Sequence, residues 1–251
     1  MTTGLATRLS SGLAAVLPDR VVGAAIRQVY PRVEPELARF TDFVPRGGTA
    51  VDVGAWYGPW TARLARRADE VVALEPTPQL ASHLRDVFPT VRVVEAAASD
   101  RVGTSELYVP KAGSAVGVSS LERGTGASVT VDLVTLDGLG LVDVAFIKFD
   151  VEGHELRALR GGCRTIRRDR PALLVEVEER IQPIEPIITL LGTWGYRGFI
   201  LPGHQWVPLA DFDLAAHQRT AIARVGQSFA RRVAWPTPRY VNLILFKCDS
   251  S

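Results

Sequence analysis

The sequence predicts an α/β protein in which helices flank a mostly parallel β-sheet, with a helical extension at the N-terminus. From Ala50 onward, short runs rich in β-branched residues alternate with stretches whose apolar residues recur at helical spacing. Such alternation is typical of a parallel sheet covered by helices on both faces. Before Ala50 the helical spacing occurs without any strand pattern. We therefore expect an N-terminal extension over residues 1–45 and one domain over residues 46–251.

The extension carries two amphipathic helical patterns. In the first, Leu5, Leu9, Leu13 and Val16 share one face, and the second runs over residues 21–33. Because the extension has no strand of its own to cover, these helices must pack on the main domain, on a partner subunit or on a membrane surface. Their apolar stripe also motivates the hypothesis of a homodimer formed through the N-terminal helices.

The domain has a regular succession of strands and helices. Helices are expected over residues 154–168 and 184–194, and a β-hairpin with a Gly/Ser-rich loop at 113–126 looks like an insertion. The expected strands lie at 50–55, 70–76, 91–99, 104–110, 128–139, 144–153, 172–179, 196–202 and 239–247.

Composition excludes several classes of protein. A hydrophobic fraction of 47% and a charged fraction of 22% are ordinary for a globular chain of 251 residues. The net charge of +2 gives no sign of a nucleic-acid partner. The two cysteines, Cys163 and Cys248, form no disulfide framework, and no run approaches the roughly 20 apolar residues of a membrane helix. Since no signal-peptide pattern begins the chain, we expect a cytoplasmic protein without a membrane span.

A glycine loop and an acidic residue point to a nucleoside ligand. Gly54 ends the first expected strand and opens a helix, and Glu75 ends the second, about twenty residues later. A carboxylate there can accept hydrogen bonds from both hydroxyls of a ribose. A dinucleotide loop would need G-x-G-x-x-G, but Trp56 stands two residues after Gly54. Asp52 would repel a pyrophosphate and suits a cationic ligand instead, which argues against an NAD(P)-dependent reductase.

A resemblance covers most of the domain. The run Phe146–Gly162, FIKFDVEGHELRALRGG, resembles the "IKIDVEG-x-E" and "LRG" motifs of FkbM-family methyltransferases. VDVGAWYG resembles the "DVGAN-x-G" loop of that family, ALEPTPQLASHLR its "EPxPxxxxxLR", and EAAASDRVGTSELYVP its "ALSDxxGxxxLYVP". These motifs occur in the family's order from about Ala50 to Glu179, and the resemblance resumes at the last strand.

The resemblance implies a class I, Rossmann-like methyltransferase domain that binds S-adenosylmethionine and mostly methylates oxygen. It implies that Glu75 holds the ribose with Pro76 beside it, and that Ala98 and Ser99 contact the adenine. On the methionine side it implies Asp52, Gly54, Ala55 and Trp56. Trp56 departs from the family, which often has Asn there, so an indole N–H would replace the amide or one polar contact would be lost.

The chemistry of a hydroxyl acceptor selects the catalytic candidates. A protonated alcohol is a poor nucleophile, so a general base or a metal is needed. Asp150 ends a strand in the signature and His154 follows in the turn, so either could be the base, or Asp150 could orient His154. Glu176 interrupts the next apolar strand and is expected to pair with Lys148 or to bind the acceptor. Asp150 and Glu176 together could instead hold a magnesium ion.

The sequence therefore predicts an S-adenosylmethionine-dependent O-methyltransferase with a sugar, oligosaccharide or glycolipid-like acceptor. A polyketide or another small natural product is the alternative acceptor. A non-catalytic S-adenosylmethionine-binding module is the alternative from another class of protein. Four aromatic residues near the last strands would either stack on a sugar or simply pack: His204, Trp206, His217 and Trp235.

Overall fold

The computed structural model describes residues 18–109, 127–225 and 240–248. In these residues the strands are β1 (Thr49–Val53), β2 (Glu70–Leu74), β3 (Arg92–Val94), β4 (Ala97–Ala98), β5 (Gly103–Val109), β6 (Ala127–Val134), β7 (Val144–Phe149), β8 (Ala172–Glu176), β9 (Tyr196–Ile200), β10 (Val207–Pro208) and β11 (Leu243–Cys248). Eight of them form one sheet in the order β10-β9-β11-β8-β7-β1-β2-β3.

The sheet is mostly parallel, as expected from the alternation of strands and helices. Strands β3, β2, β1, β7 and β8 run parallel to one another, and β11 is antiparallel to both of its neighbours, β8 and β9. All five residues of β1 are buried because helices cover both faces of the sheet. The carboxyl ends of β1, β2, β7 and β8 therefore lie side by side along one edge.

Helices lie on both faces. They are α1 (Asp19–Val33), α2 (Pro35–Ala38), α3 (Thr61–Leu64), α4 (Pro78–Val87), α5 (Glu155–Gly161), α6 (Cys163–Asp169), α7 (Glu185–Thr193) and α8 (Leu214–Val225). Leu37, Leu64 and Leu84 belong to the apolar core on one face, contributed by α2, α3 and α4. Leu159, Ile166 and Ile187 belong to the core on the other face, contributed by α5, α6 and α7. This arrangement confirms the predicted α/β fold with flanking helices.

The inserted hairpin is also confirmed. Strands β5 and β6 pair antiparallel from Gly103↔Leu133 to Val109↔Ala127, and β4 joins them in a separate three-stranded sheet. The Gly/Ser-rich loop expected at 113–126 lies outside the described residues.

Three expected boundaries were wrong. The single strand expected over 91–99 is two short strands in different sheets, because β3 pairs with β2 whereas β4 pairs with β6. The helix expected over 154–168 is divided into α5 and α6 at Gly162, a residue type that weakens a helix interior. The last strand begins at Leu243 rather than at residue 239.

The second helix of the extension is confirmed as α1, and it packs on the domain. Arg27 of α1 donates from Nη1 to the carbonyl of Tyr57 at 3.0 Å, and its guanidinium lies over the ring of Phe88 in the segment after α4. Gly23 makes the approach to α4 close, since a Cβ at this position would lie 2.6 Å from Nε2 of His83. The first helical pattern, at residues 5–16, lies outside the described residues. No helix among those described is long and apolar enough to cross a membrane.

Candidate functional site

The glycine loop brings the ends of three strands together. Gly54 adopts φ +83°, and a Cβ there would lie 1.9 Å from the carbonyl oxygen of Asp150, so β1 and β7 meet where only glycine fits. The backbone N–H groups of Gly54 and Ala55 both donate to the carbonyl of Leu74 at 3.0 Å, which folds the loop across the end of β2. The loop and the signature turn therefore form one continuous edge.

Glu75 lies at this edge, immediately after β2. Its Oε2 accepts a hydrogen bond from the backbone N–H of Trp56 at 2.9 Å, and its Oε1 accepts one from the N–H of Thr77 at the same distance. Burial raises the pKa of Glu75, whereas these two N–H donors act in the opposite direction. Each carboxylate oxygen has a second lone pair, so the group keeps acceptor capacity for a ligand. Pro76 is half-buried beside it.

Trp56 has an unusual conformation in the same loop. It adopts φ +52°, in the left-handed region that few residues other than glycine occupy. Its ring lies 5.9 Å from that of Tyr30 and 5.2 Å from that of Tyr57, measured between centroids. The indole Nε1 is enclosed and has no hydrogen-bond partner in the described part of the chain.

Asp52 is fully buried in β1, two residues before Gly54. Its Oδ2 accepts a 2.5 Å hydrogen bond from Thr61 Oγ1, whereas Oδ1 has no hydrogen-bond partner among the described residues. Burial raises the pKa of Asp52, and the charge of Lys148 partly offsets this effect. Ala55, which follows Gly54 in the loop, is also buried.

Two residues assigned to different roles by the sequence are in contact. Ser99 Oγ lies 3.0 Å from His154 Nε2, and both side chains are buried. Ala98 and Ser99 are brought to this position at the end of β4, where a Cβ on Gly161 would lie 1.8 Å from the Ser99 carbonyl oxygen. Because His154 is buried and hydrogen-bonded, its environment favours a structural role over a role as general base.

Asp150 and Glu176 come together as neighbours, but the expected Lys148–Glu176 ion pair was wrong. Lys148 Nζ lies 2.8 Å from Asp150 Oδ2, because the two residues point to the same side of β7. Glu176 instead hydrogen-bonds to Asp150 and accepts a hydrogen bond from Nδ2 of Asn242. The side chain of Lys148 is only 4% exposed, whereas that of Asp150 is 21% exposed and therefore remains partly accessible to solvent.

The two carboxyl groups differ in protonation. Burial opposes charge on Asp150, but the charge of Lys148 and the hydrogen bonds from Glu176 and Lys148 together outweigh it and lower the pKa of Asp150. Burial and the charge of Asp150 raise the pKa of Glu176 well above its usual range. The two shifts are opposite in direction, so the pair favours a charged Asp150 beside a Glu176 that keeps its proton to a higher pH than an ordinary glutamate does. Burial, followed by the charge of Asp150, also raises the pKa of the neighbouring Glu152 to about 8.

The N-terminal extension contributes two residues that sequence reasoning missed. These residues are Tyr30 and Glu34 of the α1–α2 segment, and Oε1 of Glu34 accepts a 2.6 Å hydrogen bond from Trp60 Nε1. Burial and the charges of Glu34, Asp150 and Glu176 raise the pKa of Tyr30. Burial raises the pKa of Glu34 to about 7. No motif marks these residues, since their proximity to the signature strand depends on how α1 docks.

The remaining candidates divide between packing and residues that are not described. Trp206 packs edge-on against Phe43 at 5.5 Å, and His217 lies 5.2 Å from Phe212, measured between ring centroids. His204 is exposed, and Trp235 lies outside the described residues. Residues 18–109, 127–225 and 240–248 contain no group of three or more His, Cys, Asp or Glu arranged to hold a metal ion.

Comparison with known proteins gives one family match. Residues 52–198 match the model of the methyltransferase FkbM domain, which is more than half of the chain. No curated protein matches.

Solved structures with similar chain traces include an FkbM methyltransferase of Methylobacillus flagellatus KT (16% identity, TM-score 0.47, covering 98% of this chain and 57% of that one). A second is SMU.1697c of Streptococcus mutans, a candidate methyltransferase in complex with SAH (9% identity, TM-score 0.45, covering 86% of this chain and 96% of that one). A third is an rRNA methylase of Streptococcus thermophilus (11% identity, TM-score 0.44, covering 85% of this chain and 94% of that one). This chain thus spans 57% of the length of the Methylobacillus protein.

Proposed function

Since this chain belongs to the FkbM methyltransferase family, we propose that it moves a methyl group from S-adenosylmethionine to a hydroxyl of a sugar, oligosaccharide or glycolipid-like acceptor. The observation that carries this proposal is the Asp150–Glu176 pair, which lies at the same sheet edge as Gly54 and Glu75. A pair of hydrogen-bonded carboxyl groups is suited to an acceptor that offers several hydroxyl groups.

The residues of the loop fit the cofactor. Glu75 retains acceptor capacity for the ribose hydroxyls, with Pro76 beside it and Ala98 and Ser99 assigned to the adenine side. Asp52 Oδ1 and Trp56 Nε1 are enclosed polar atoms without a hydrogen-bond partner in the described residues. An ammonium group and a carboxylate, both present in the methionine part of the cofactor, have the complementary chemistry. Gly54 and Ala55 complete that side, and the cofactor supplies a methyl group on a sulfonium whose charge disappears during transfer.

Asp150 is the residue we assign to the acceptor hydroxyl. Lys148 stabilises its charge, and the raised pKa of Glu176 favours a proton on Glu176 that donates to Asp150 and fixes its orientation. Asp150 accepts a hydrogen bond from the acceptor and takes up its proton as the oxygen gains its methyl group. Glu176 binds a neighbouring hydroxyl group of the acceptor. His154 is the second candidate for the base, although its contact with Ser99 must break or relay the proton.

A magnesium ion on Asp150 and Glu176 is the alternative means of activating the acceptor. Such an ion would displace the proton that the two carboxyl groups share and would lower the pKa of the bound hydroxyl. Full activity after EDTA treatment, with no gain on adding magnesium, supports proton transfer to Asp150. Activity that is lost with EDTA and restored by magnesium supports the metal.

The experiment that tests this function measures methyl transfer from labelled S-adenosylmethionine to a panel of methyl glycosides, oligosaccharides and polyketide alcohols. We expect methylation of members of the sugar panel. Asp150→Asn should abolish it without weakening S-adenosylhomocysteine binding, whereas the matched control Glu178→Gln should remain active. Glu178 lies two residues after Glu176 and pairs with Arg180 instead.

Other outcomes assign the protein differently. Methylation of polyketide alcohols alone would replace the sugar acceptor. Cofactor binding without any transfer would favour a non-catalytic module. Loss of activity in His154→Ala together with full activity in Asp150→Asn would transfer the role of base to His154.

We also propose a homodimer formed through the N-terminal helices and a cytoplasmic location. In the described part of the extension, α1 exposes Val21 and Val29 on the side away from the domain. Light scattering tests the dimer: Val21→Glu with Val29→Glu should give monomers, and an unchanged mass would contradict this interface. The two free cysteines, Cys163 and Cys248, are compatible with a reducing compartment, and cell fractionation tests the location.

A further inference from the structure

Helix α1 contacts two segments next to the expected cofactor site, namely the loop after β1 and helix α4. Arg27 holds the carbonyl of Tyr57, and the hydroxyl of Tyr57 donates to Asp19 Oδ1 at 3.1 Å, so two hydrogen bonds join α1 to the loop after β1. Arg27 Nη1 also lies 3.4 Å from His83 Nε2 of α4, the helix that follows Glu75. The helix therefore spans the loop after β1 and the helix after β2, although it precedes the residues that match the family.

The conformation of Trp56 connects this helix to Glu75. A tryptophan at φ +52° is unfavourable by itself and persists only where surrounding contacts hold it. In this conformation the Trp56 N–H donates to Glu75 Oε2 at 2.9 Å. The ring of Tyr30 packs on the Trp56 ring from the side of α1 at 5.9 Å with an interplanar angle of 57°. A tilted aromatic pair at this distance is attractive.

We propose that Tyr30 is a positioning residue for the cofactor, because its ring holds Trp56 in the conformation that presents the Trp56 N–H to Glu75. This inference rests on the proposed function, in which Glu75 binds the ribose. Tyr30 acts through Trp56 and does not itself contact the cofactor. The extension is thus part of the binding site. Its ring contact with Trp56 would be absent if position 56 were an asparagine.

The test is calorimetric titration with S-adenosylhomocysteine of the full chain and its variants. Tyr30→Ala should raise the dissociation constant about three- to tenfold, as expected for the loss of one aromatic pair. Tyr30→Phe keeps the ring and should stay within about twofold of the wild type. Gln28→Ala, at an exposed position on the same helix, is the matched control and should leave the dissociation constant unchanged.

A double-mutant cycle separates positioning from a general loss of stability. In a Trp56→Asn background the ring contact is absent, and asparagine tolerates the left-handed region, so Tyr30→Ala should have no further effect on affinity. Equal losses in the two backgrounds, or an unchanged dissociation constant for Tyr30→Ala, would overturn the proposal. If Tyr30→Ala fails to fold, Tyr30→Leu keeps most of the buried apolar area, and the same expectations apply to it. A wild-type protein that binds no S-adenosylhomocysteine would overturn the proposed function itself, which is a different result.

Discussion

Replacing Lys148 by methionine removes the cation at the centre of the acidic site while keeping a side chain of similar length. Burial disfavours the charge on Lys148, but Asp150, Asp52 and Glu34 outweigh it and raise the pKa of Lys148. The substitution leaves Asp150 charged and half-buried next to Glu176, without its partner at 2.8 Å. The remaining carboxylates then repel one another in a poorly hydrated environment.

The expected loss follows from the burial of the pair. Removing one partner of a buried ion pair costs about 3–5 kcal/mol. For a chain of this size, each kcal/mol lowers the melting temperature by roughly 2–4 °C, so Lys148→Met should melt roughly 6–20 °C below the wild type. Lys247→Met on β11 is the matched control, because Lys247 is half-buried and faces Arg197 across the strand pair. We expect it to melt within about 2 °C of the wild type.

The loss of stability in Lys148→Met should also depend on pH. In the wild type, Lys148 lowers the pKa of Asp150. The contribution of their ion pair to stability is therefore present above the pKa of an unfolded aspartate, about 3.9, and disappears as the pH falls through the pKa of Asp150 in the folded protein. In Lys148→Met the charge that offsets burial is gone, so burial raises the pKa of Asp150. Protonation of Asp150 then removes the buried charge, and the variant loses less stability as the pH falls. Thermal melts at pH 5 and pH 8 should therefore show the larger difference at pH 8. A difference below about 2 °C, or one independent of pH, would refute this account of the site.

Three further substitutions test other contacts. Gly54→Ala should lower the free energy of unfolding by more than about 2 kcal/mol in urea melts, because the added Cβ meets the Asp150 carbonyl at a positive φ. The control Gly192→Ala should be neutral or stabilising, because a Cβ at that position would have nothing within 4 Å. Glu34→Gln should flatten the decline in melting temperature between about pH 4.5 and pH 7. Burial raises the pKa of Glu34 to about 7, so in the wild type the contribution of this group to stability is lost as the pH rises through that range. An unchanged slope would show that Glu34 does not titrate there. Glu176→Gln should keep the wild-type melting temperature at pH 7, because burial and the charge of Asp150 raise the pKa of Glu176 and favour its neutral form, which the amide resembles. A fall of several degrees would mean that Glu176 is charged.

Local sequence predicts the parts of this fold that depend on neighbours in the chain. The strand ends at Gly54 and Glu75 could be located because each closes a short β-branched run, and parallel strands bring their ends to the same edge. The hairpin of β5 and β6 and the helix over residues 185–193 could be recognised for similar reasons. The family was identifiable because several motifs occur in order.

The contacts of the acidic site could not be predicted in the same way. Lys148 can reach either Asp150 on its own strand or Glu176 on the next, and only the side-chain geometry of the folded sheet decides for Asp150. The roles of Tyr30 and Glu34 depend on the docking of α1, a contact between segments that are distant in sequence. The division of residues 91–99 between two sheets likewise depends on partners that are far along the chain.

The central claim is that S-adenosylmethionine binds at Glu75, and calorimetric titration with S-adenosylhomocysteine tests it most directly. The wild type should bind this compound and should not bind NADH. Glu75→Gln should weaken binding markedly, because one carboxylate oxygen is replaced by an amide N–H₂ that cannot accept from the ribose or from the backbone donors. Absence of binding, binding of NADH instead, or equal affinity in Glu75→Gln would contradict the claim.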